Sequence, residues 1–171
     1  NNFIEGRCYE WLNVTMNNKV EEFFAKHKPD KVFIACANPY VDGCESPRSD
    51  MVNVTGITRI VHHAGKEAQI IFFSSSYVFE GTSQVPYKPT DATMPVNKYG
   101  RQKEEIERRL VERGKSLIIR TVGVFGKEGT PKNFVDQIRR AVKENKRIKV
   151  PSDQTMNPVW VDLLAQTQKN G

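Results

Sequence analysis

Short, nearly unbroken apolar runs alternate along this chain with longer segments whose apolar residues recur at helical spacing. The clearest runs are 31–35 (KVFIA), 69–74 (QIIFFS) and 116–120 (SLIIR), and 147–150 is a weaker fourth. Runs without polar alternation predict strands covered on both faces by helices. Between them, 17–28 places Val20, Phe23 and Phe24 on one side and is stopped by Lys28-Pro29-Asp30. Segments 50–65 and 96–113 are longer helices, and 133–145 carries Phe134, Ile138 and Val142 at helical spacing. This alternation predicts a three-layer α/β/α fold around a mostly parallel sheet. No internal repeat and no linker divides the chain, so a single domain is expected.

The stretch 77–95 differs in texture. It holds Gly81, Pro86, Pro89 and Pro95 with little periodicity, which predicts a long loop leaving the carboxyl end of a strand. Ligands of doubly wound sheets bind beyond such strand ends, and unstructured loops of this length are often functional.

Composition narrows the classes. With 171 residues, 38% hydrophobic and 27% charged, the chain has the size and balance of one soluble domain. No apolar run approaches the roughly 18 residues of a membrane span, and no secretory leader is evident. The net charge of +6 is dispersed among acids on helix faces, as in 101–115, and no nucleic-acid motif accompanies it. Cys8, Cys36 and Cys44 lack metal or redox spacing and are expected to be free thiols in a reducing, cytoplasmic setting. The sequons at Asn13 and Asn53 then carry no glycan, and no metal site is expected. Ile4-Glu5-Gly6-Arg7 reads like a protease-cleavage tag and is given no structural meaning.

Candidate chemistry begins at Tyr99-Gly100-Arg101-Gln102-Lys103, a Y-x-x-x-K spacing at the start of a helix. Four residues put the phenol and the ammonium on one helix face. A tyrosine titrates near pH 10 and works poorly as an acid–base group at neutral pH unless a nearby cation favours the phenolate. Lys103 would supply that charge, and its remaining donors could hold a ribose hydroxyl. Ser75, ending the strand 69–74, would hold a substrate oxygen against the tyrosine. The motif alone is weak, since one aromatic contact and a solvated lysine account for many such helices. The preceding strand ending in Ser74-Ser75-Ser76, the Pro-rich loop and the following strand give it context.

In that context the sequence resembles a family. Phe73 to Thr82 (FSSSYVFEGT) is similar to the "STDYVFDGT" segment of dTDP-4-dehydrorhamnose reductases, within the extended short-chain dehydrogenases/reductases. Tyr87 to Asp91 and Pro95 to Lys103 follow the "PYxExD…PxNxYGxSK" pattern. Upstream, Pro29 to Ala37 resembles "PDvviNaAA", Val41 to Glu45 "VDxAE", and Asn53-Val54 the "vN" of the next helix. Downstream, Ile119 to Gly126 resembles "lRtsWvyG", Asn133 to Val135 "NFv", and Asp153-Gln154 with Pro158 to Asp162 resembles "DQ…Ptyv" or the epimerase form "PvyVdD".

The resemblance runs in order from about Pro29 to Ala165. It implies a Rossmann-like doubly wound parallel sheet, with 1–171 as one NAD(P)-binding domain and the start of a substrate-binding part near 126–171. It implies NADPH or NADH as cofactor, and Ser75, Tyr99 and Lys103 as catalytic residues. Ala35, Cys36, Ala37, Tyr99, Lys103 and Val122 would lie along the cofactor. Ser75, Asn133 and Gln154 would face a nucleotide-sugar substrate. Neither nucleic acid nor membrane is an expected partner, and a homodimer stays open.

Departures from the pattern qualify this. Nothing before Pro29 offers a strand followed by G-x-x-G-x-x-G, whose glycines let a backbone approach the pyrophosphate. The chain as written is therefore expected to lack the first β-α unit, to bind dinucleotide poorly, and to be unstable alone as a monomer. Ser76 replaces an aspartate, Ile34 an asparagine, and Leu163 breaks "DDLA". Reduction of a nucleotide-linked 4-keto sugar is the leading expectation. An epimerase or dehydratase, favoured by Ser75 in place of threonine and by "PVWVD", and a non-catalytic regulatory subunit remain the alternatives.

Overall fold

A computed structural model describes residues 10–126 and 133–166; the 4–7 tag-like stretch and Cys8 lie outside the described residues. The chain separates into two compact units, Asn1–Arg120 and Thr121–Gly171. The first unit holds a three-stranded sheet in the order β1-β2-β3, where β1 is Lys31–Ile34, β2 Gln69–Ser75 and β3 Ser116–Thr121. β1 and β2 are parallel, in a register running from Lys31 opposite Gln69 to Ile34 opposite Phe72. The expected parallel sheet with flanking helices is therefore present, in an α/β, Rossmann-like arrangement.

Burial along the strands corrects one expectation. Only β2 is covered throughout most of its length, with Ile70, Ile71 and Phe72 fully inside. β1 and β3 are the outer strands of this three-stranded sheet, and Phe33 on β1 is 50% exposed. An apolar run fixes strand identity but not which strand is central. The expected weak strand at 147–150 does not form; Ile148 and Val150 are exposed, alternating with charged Arg147 and Lys149. Within the second unit the described bridge joins Phe125 and Trp160.

Helix α1 (Asn17–His27) ends where Lys28 turns left-handed, its N–H donating to the Phe24 carbonyl at 3.0 Å. The expected helix at 50–65 is three joined pieces: α2 (Arg48–Asp50), a π-helical segment Met51–Gly56, and α3 (Ile57–His63). α4 (Lys98–Arg113) follows the long loop, and in the second unit α5 (Phe134–Lys143) and α6 (Val161–Gln166) complete the helices. Val20 and Phe24 from α1, Ile57 and Ile60 from α3, and Ile106 and Leu110 from α4 close over Ile34, Ile70 and Phe72. Each such side chain contributes about 1.5–3 kcal/mol by leaving water. This core fixes α4 against β2, and the site is built on that contact. Among the described residues no helix is long and apolar enough to cross a membrane.

Candidate active site

The carboxyl end of β2 delivers Ser75, which is buried, into a 3-10 turn over Ser76–Val78. Its Oγ accepts the Tyr77 N–H at 3.2 Å, so the hydroxyl proton remains available to a further acceptor. The turn brings the Tyr77 backbone against the first turn of α4. There, Gly100 is required by space: a Cβ would stand 2.1 Å from the Tyr77 carbonyl oxygen. That close approach sets the Tyr77 and Tyr99 rings edge to face, with centroids 6.0 Å apart at 82°.

Two acceptors fix the start of α4. Asn97 Oδ1 takes the Gly100 N–H at 2.8 Å, and Glu45 Oε1 takes the Lys98 N–H at 3.0 Å. Both satisfy donors that a helix N-terminus otherwise leaves open. One turn beyond Tyr99, Lys103 is only 4% exposed. Its Nζ donates to the Phe73 carbonyl at 2.9 Å and lies 4.7 Å from the Phe72 ring centre and 5.6 Å from that of Tyr99. Burial pulls its pKa down to about 8, against the upward influence of Cys36, Cys44 and Glu107.

The phenol of Tyr99 is pushed above its ordinary value, first by burial and then by Cys44 and Tyr77. This is opposite in sign to the lowering expected from the Y-x-x-x-K spacing. Burial of the phenol is the largest cause of the shift, while the Lys103 ammonium donates to Phe73 and lies over the Tyr99 ring. Ser75 and Tyr99 are joined through Tyr77 rather than by a direct hydrogen bond among the described residues.

The remaining expected residues are placed more loosely. Ala35 and Cys36 are exposed just past β1, with Ala37 half-buried, and the Cys36 thiol is near enough to Lys103 to influence its titration. Val122, Asn133 and Gln154 belong to the second unit. Val122 is half-buried directly after β3, and Gln154 is exposed in an irregular stretch. Asn133 caps α5: its Oδ1 accepts the Asp136 N–H at 2.9 Å and its Nδ2 donates to the Asp136 carboxylate at 2.8 Å. The structure thus brings Ser75, Tyr99, Lys103 and Cys36 to one end of the sheet in the first unit.

Comparison with known proteins gives this arrangement a family. The RmlD substrate binding domain family matches residues 6–170. The chain belongs to that family. Among curated relatives, the dTDP-4-dehydrorhamnose reductase of Salmonella typhimurium is 35% identical over 150 residues, covering 85% of this chain and 50% of its own. A dTDP-4-dehydrorhamnose reductase from Bacillus anthracis, solved in complex with NADP, superposes with a TM-score of 0.82 at 29% identity, over 93% of this chain and 58% of its own. A hypothetical dTDP-4-dehydrorhamnose reductase from Sulfolobus tokodaii superposes with a TM-score of 0.84 at 30% identity, over 99% of this chain and 60% of its own. The chain spans about half the length of the curated relatives it matches.

Within this RmlD-family chain, sequence reasoning missed two features beside the tyrosine and lysine. Tyr77 was legible only as part of a motif, and nothing in a turn sequence announces an edge-on contact with Tyr99. The second is an ion pair between the buried Glu107 on α4 and the half-buried Arg120 on β3, joined by three hydrogen bonds of 2.7–3.1 Å. Arg120 also donates to the Pro89 carbonyl at 3.0 Å and lies 5.0 Å from the Phe79 ring centre, pinning the long loop that follows Ser75. The signal available was an acid on the core side of an amphipathic helix, where an unpaired carboxylate is too costly to leave.

Proposed function

We propose that the full-length protein is an NAD(P)H-dependent reductase of a nucleotide-linked 4-keto sugar, of the dTDP-4-dehydrorhamnose reductase type. The observation carrying this reading is the placement of Lys103 between Tyr99 and the Phe73 carbonyl, two residues before Ser75. That contact ties the Y-x-x-x-K helix to the strand that ends in the serine.

The residues present suit a dinucleotide. The small-residue stretch Ala35-Cys36-Ala37, exposed at its first two positions, offers close backbone approach, and the buried Lys103 ammonium spends one of its three donors on Phe73. Within the first unit, Ala35, Cys36, Ala37, Tyr99 and Lys103 would hold the cofactor, and Lys103 would take a ribose hydroxyl. When bound, the reduced nicotinamide supplies a hydride to the ketone carbon.

The chain's own part is proton chemistry. Burial keeps the Tyr99 phenol protonated at neutral pH, the starting state a general acid needs. Its proton goes to the ketone oxygen, and the Ser75 hydroxyl, oriented by the Tyr77 N–H, donates to the same oxygen and holds it in place. Hydride and proton together convert the ketone to the alcohol. Ser75, Asn133 and Gln154 are assigned to the substrate side, with 126–171 as the start of the substrate-binding part of the chain.

The test is turnover of dTDP-4-dehydrorhamnose by the full-length protein with NADPH or NADH. One cofactor oxidised per sugar alcohol formed is expected. A protein that binds NADPH but leaves this and other 4-keto nucleotide sugars unreduced would refute the reading.

A further inference from the structure

Between Tyr99 and Lys103 on α4 sits Gln102, which is 3% exposed and touches neither of them through its amide. Its Oε1 accepts from Asn53 Nδ2 at 2.8 Å, and its Nε2 donates to Ser49 Oγ and to Asp50 Oδ1, both at 2.7 Å. The second amide, Asn53, is 1% exposed and lies in the π-helical segment Met51–Gly56. Asn53 Oδ1 accepts the Asn38 N–H at 2.7 Å, and its Nδ2 donates to the Asn38 carbonyl at 3.1 Å. Asn38 directly follows Ala35-Cys36-Ala37 at the end of β1.

The orientation of both amides is fixed by their partners, and Ser49 Oγ, which accepts from Gln102, donates onward to the Cys44 and Ser46 carbonyls. Asn38 presents one donor and one acceptor, which fix the Asn53 amide; Asn53 then presents an N–H, which fixes Gln102; Asp50, a pure acceptor, fixes its far end. Reversing either amide would set donor against donor. A fully satisfied buried network of this kind is rigid and specific, and a partly satisfied one is costly. It spans the two segments that must keep their spacing: the strand end assigned to the cofactor, and the helix turn carrying Tyr99 and Lys103. The π-helical segment is where the intervening helix departs from regular geometry, and Asn53 points inward from it.

We propose that Gln102 is a positioning residue which, through Asn53, Ser49 and Asp50, fixes the distance between the cofactor-side segment Ala35–Asn38 and the Tyr99–Lys103 turn. The role rests on the reductase reading and adds a residue that acts through others. Misplacement by about 1 Å in such a site costs on the order of 100-fold in rate, so small relaxation here is visible in turnover before it is visible in the fold.

The experiment compares wild type, Gln102→Met and Gln102→Glu in the full-length protein, measuring NADPH affinity by fluorescence titration, turnover, and the thermal midpoint. Gln102→Met keeps the volume and removes the contacts. It is expected to weaken NADPH binding and to lower kcat by at least about tenfold, with the sugar KM little changed. In Gln102→Glu, the carboxyl faces Asp50, with Lys98 beyond Asp50 at 2.8 Å and the Cys44 thiol behind Asn53 at 3.4 Å. Protonated, it keeps the acceptor and one of the amide's two donors, so activity relative to wild type should rise as pH falls. A purely structural side chain would lower the thermal midpoint and leave kcat and NADPH affinity of the folded protein unchanged; that result overturns the proposal. Should Gln102→Met not fold, a Gln102→Glu variant whose relative activity is flat with pH overturns it equally. A wild type that binds NADPH without reducing the sugar refutes the substrate reading alone, and the affinity measurement then decides the role of Gln102.

Discussion

The Lys103 ammonium lies 2.9 Å from the carbonyl oxygen of Phe73, so the helix bearing Tyr99 is tied to the strand that ends at Ser75. A nearly buried cation is held there at a cost, since burial pulls its pKa from 10.5 to about 8. Lys103→Met in the full-length protein should therefore abolish turnover while leaving stability equal to wild type or higher, by up to about 3 kcal/mol at neutral pH. The sign follows from linkage: between pH 8 and 10.5 the unfolded chain holds the Lys103 proton and the folded chain does not, so wild-type stability rises with pH there. The advantage of the variant should shrink across that window. Urea unfolding at several pH values checks this, and a variant destabilised at every pH would contradict it.

The same group should set the alkaline limb of the rate profile of the full-length protein. Tyr99 is pushed up and stays protonated, so the first loss on raising pH is the Lys103 charge, near 8. The kcat/KM for NADPH should fall through that value, because this parameter reports the free enzyme. Lys103→Arg, which cannot lose its charge, should move the limb upward even if its absolute rate is low. A wild-type profile flat to pH 10 would count against the role.

Much of this was legible in the sequence, and what was not has identifiable causes. Unbroken apolar runs located β1, β2 and β3, and the strand–loop–helix context located Ser75, Tyr99 and Lys103. The break in the helix at Met51–Gly56 was invisible, because a π-helical segment and an α-helix share nearly the same apolar periodicity. The direction of the Tyr99 shift was misjudged because sequence spacing reports the nearby cation and says nothing of burial. Nothing in the sequence around Gly100 reports the Tyr77 carbonyl that it must admit.

Gly100→Ala tests that contact through the sign of its effect. In an open helix, alanine would stabilise by roughly 0.5–1 kcal/mol. Here its Cβ would meet the Tyr77 carbonyl oxygen at 2.1 Å, so α4 or the 3-10 turn must move. A destabilisation of about 1–3 kcal/mol is expected, with reduced turnover in the protein that still folds. A stabilised, fully active variant would show that the close approach is not maintained.

Arg120→Gln should be among the most damaging substitutions outside the site. It leaves the buried Glu107 carboxylate without its forked partner and frees the loop carbonyl of Pro89. Breaking such a pair costs about 3–5 kcal/mol, whereas replacing both partners by apolar residues of similar volume is far milder. Arg120→Met combined with Glu107→Leu should accordingly unfold at higher urea than Arg120→Gln. The reverse order would contradict the buried-pair account.

The central claim is that Tyr99 donates the proton, and Tyr99→Phe in the full-length protein tests it most directly, because the ring stays and only the hydroxyl goes. With dTDP-4-dehydrorhamnose and NADPH, turnover should fall by about 10²–10⁴-fold while NADPH affinity stays within a few-fold of wild type. Equal turnover in wild type and Tyr99→Phe would contradict the account.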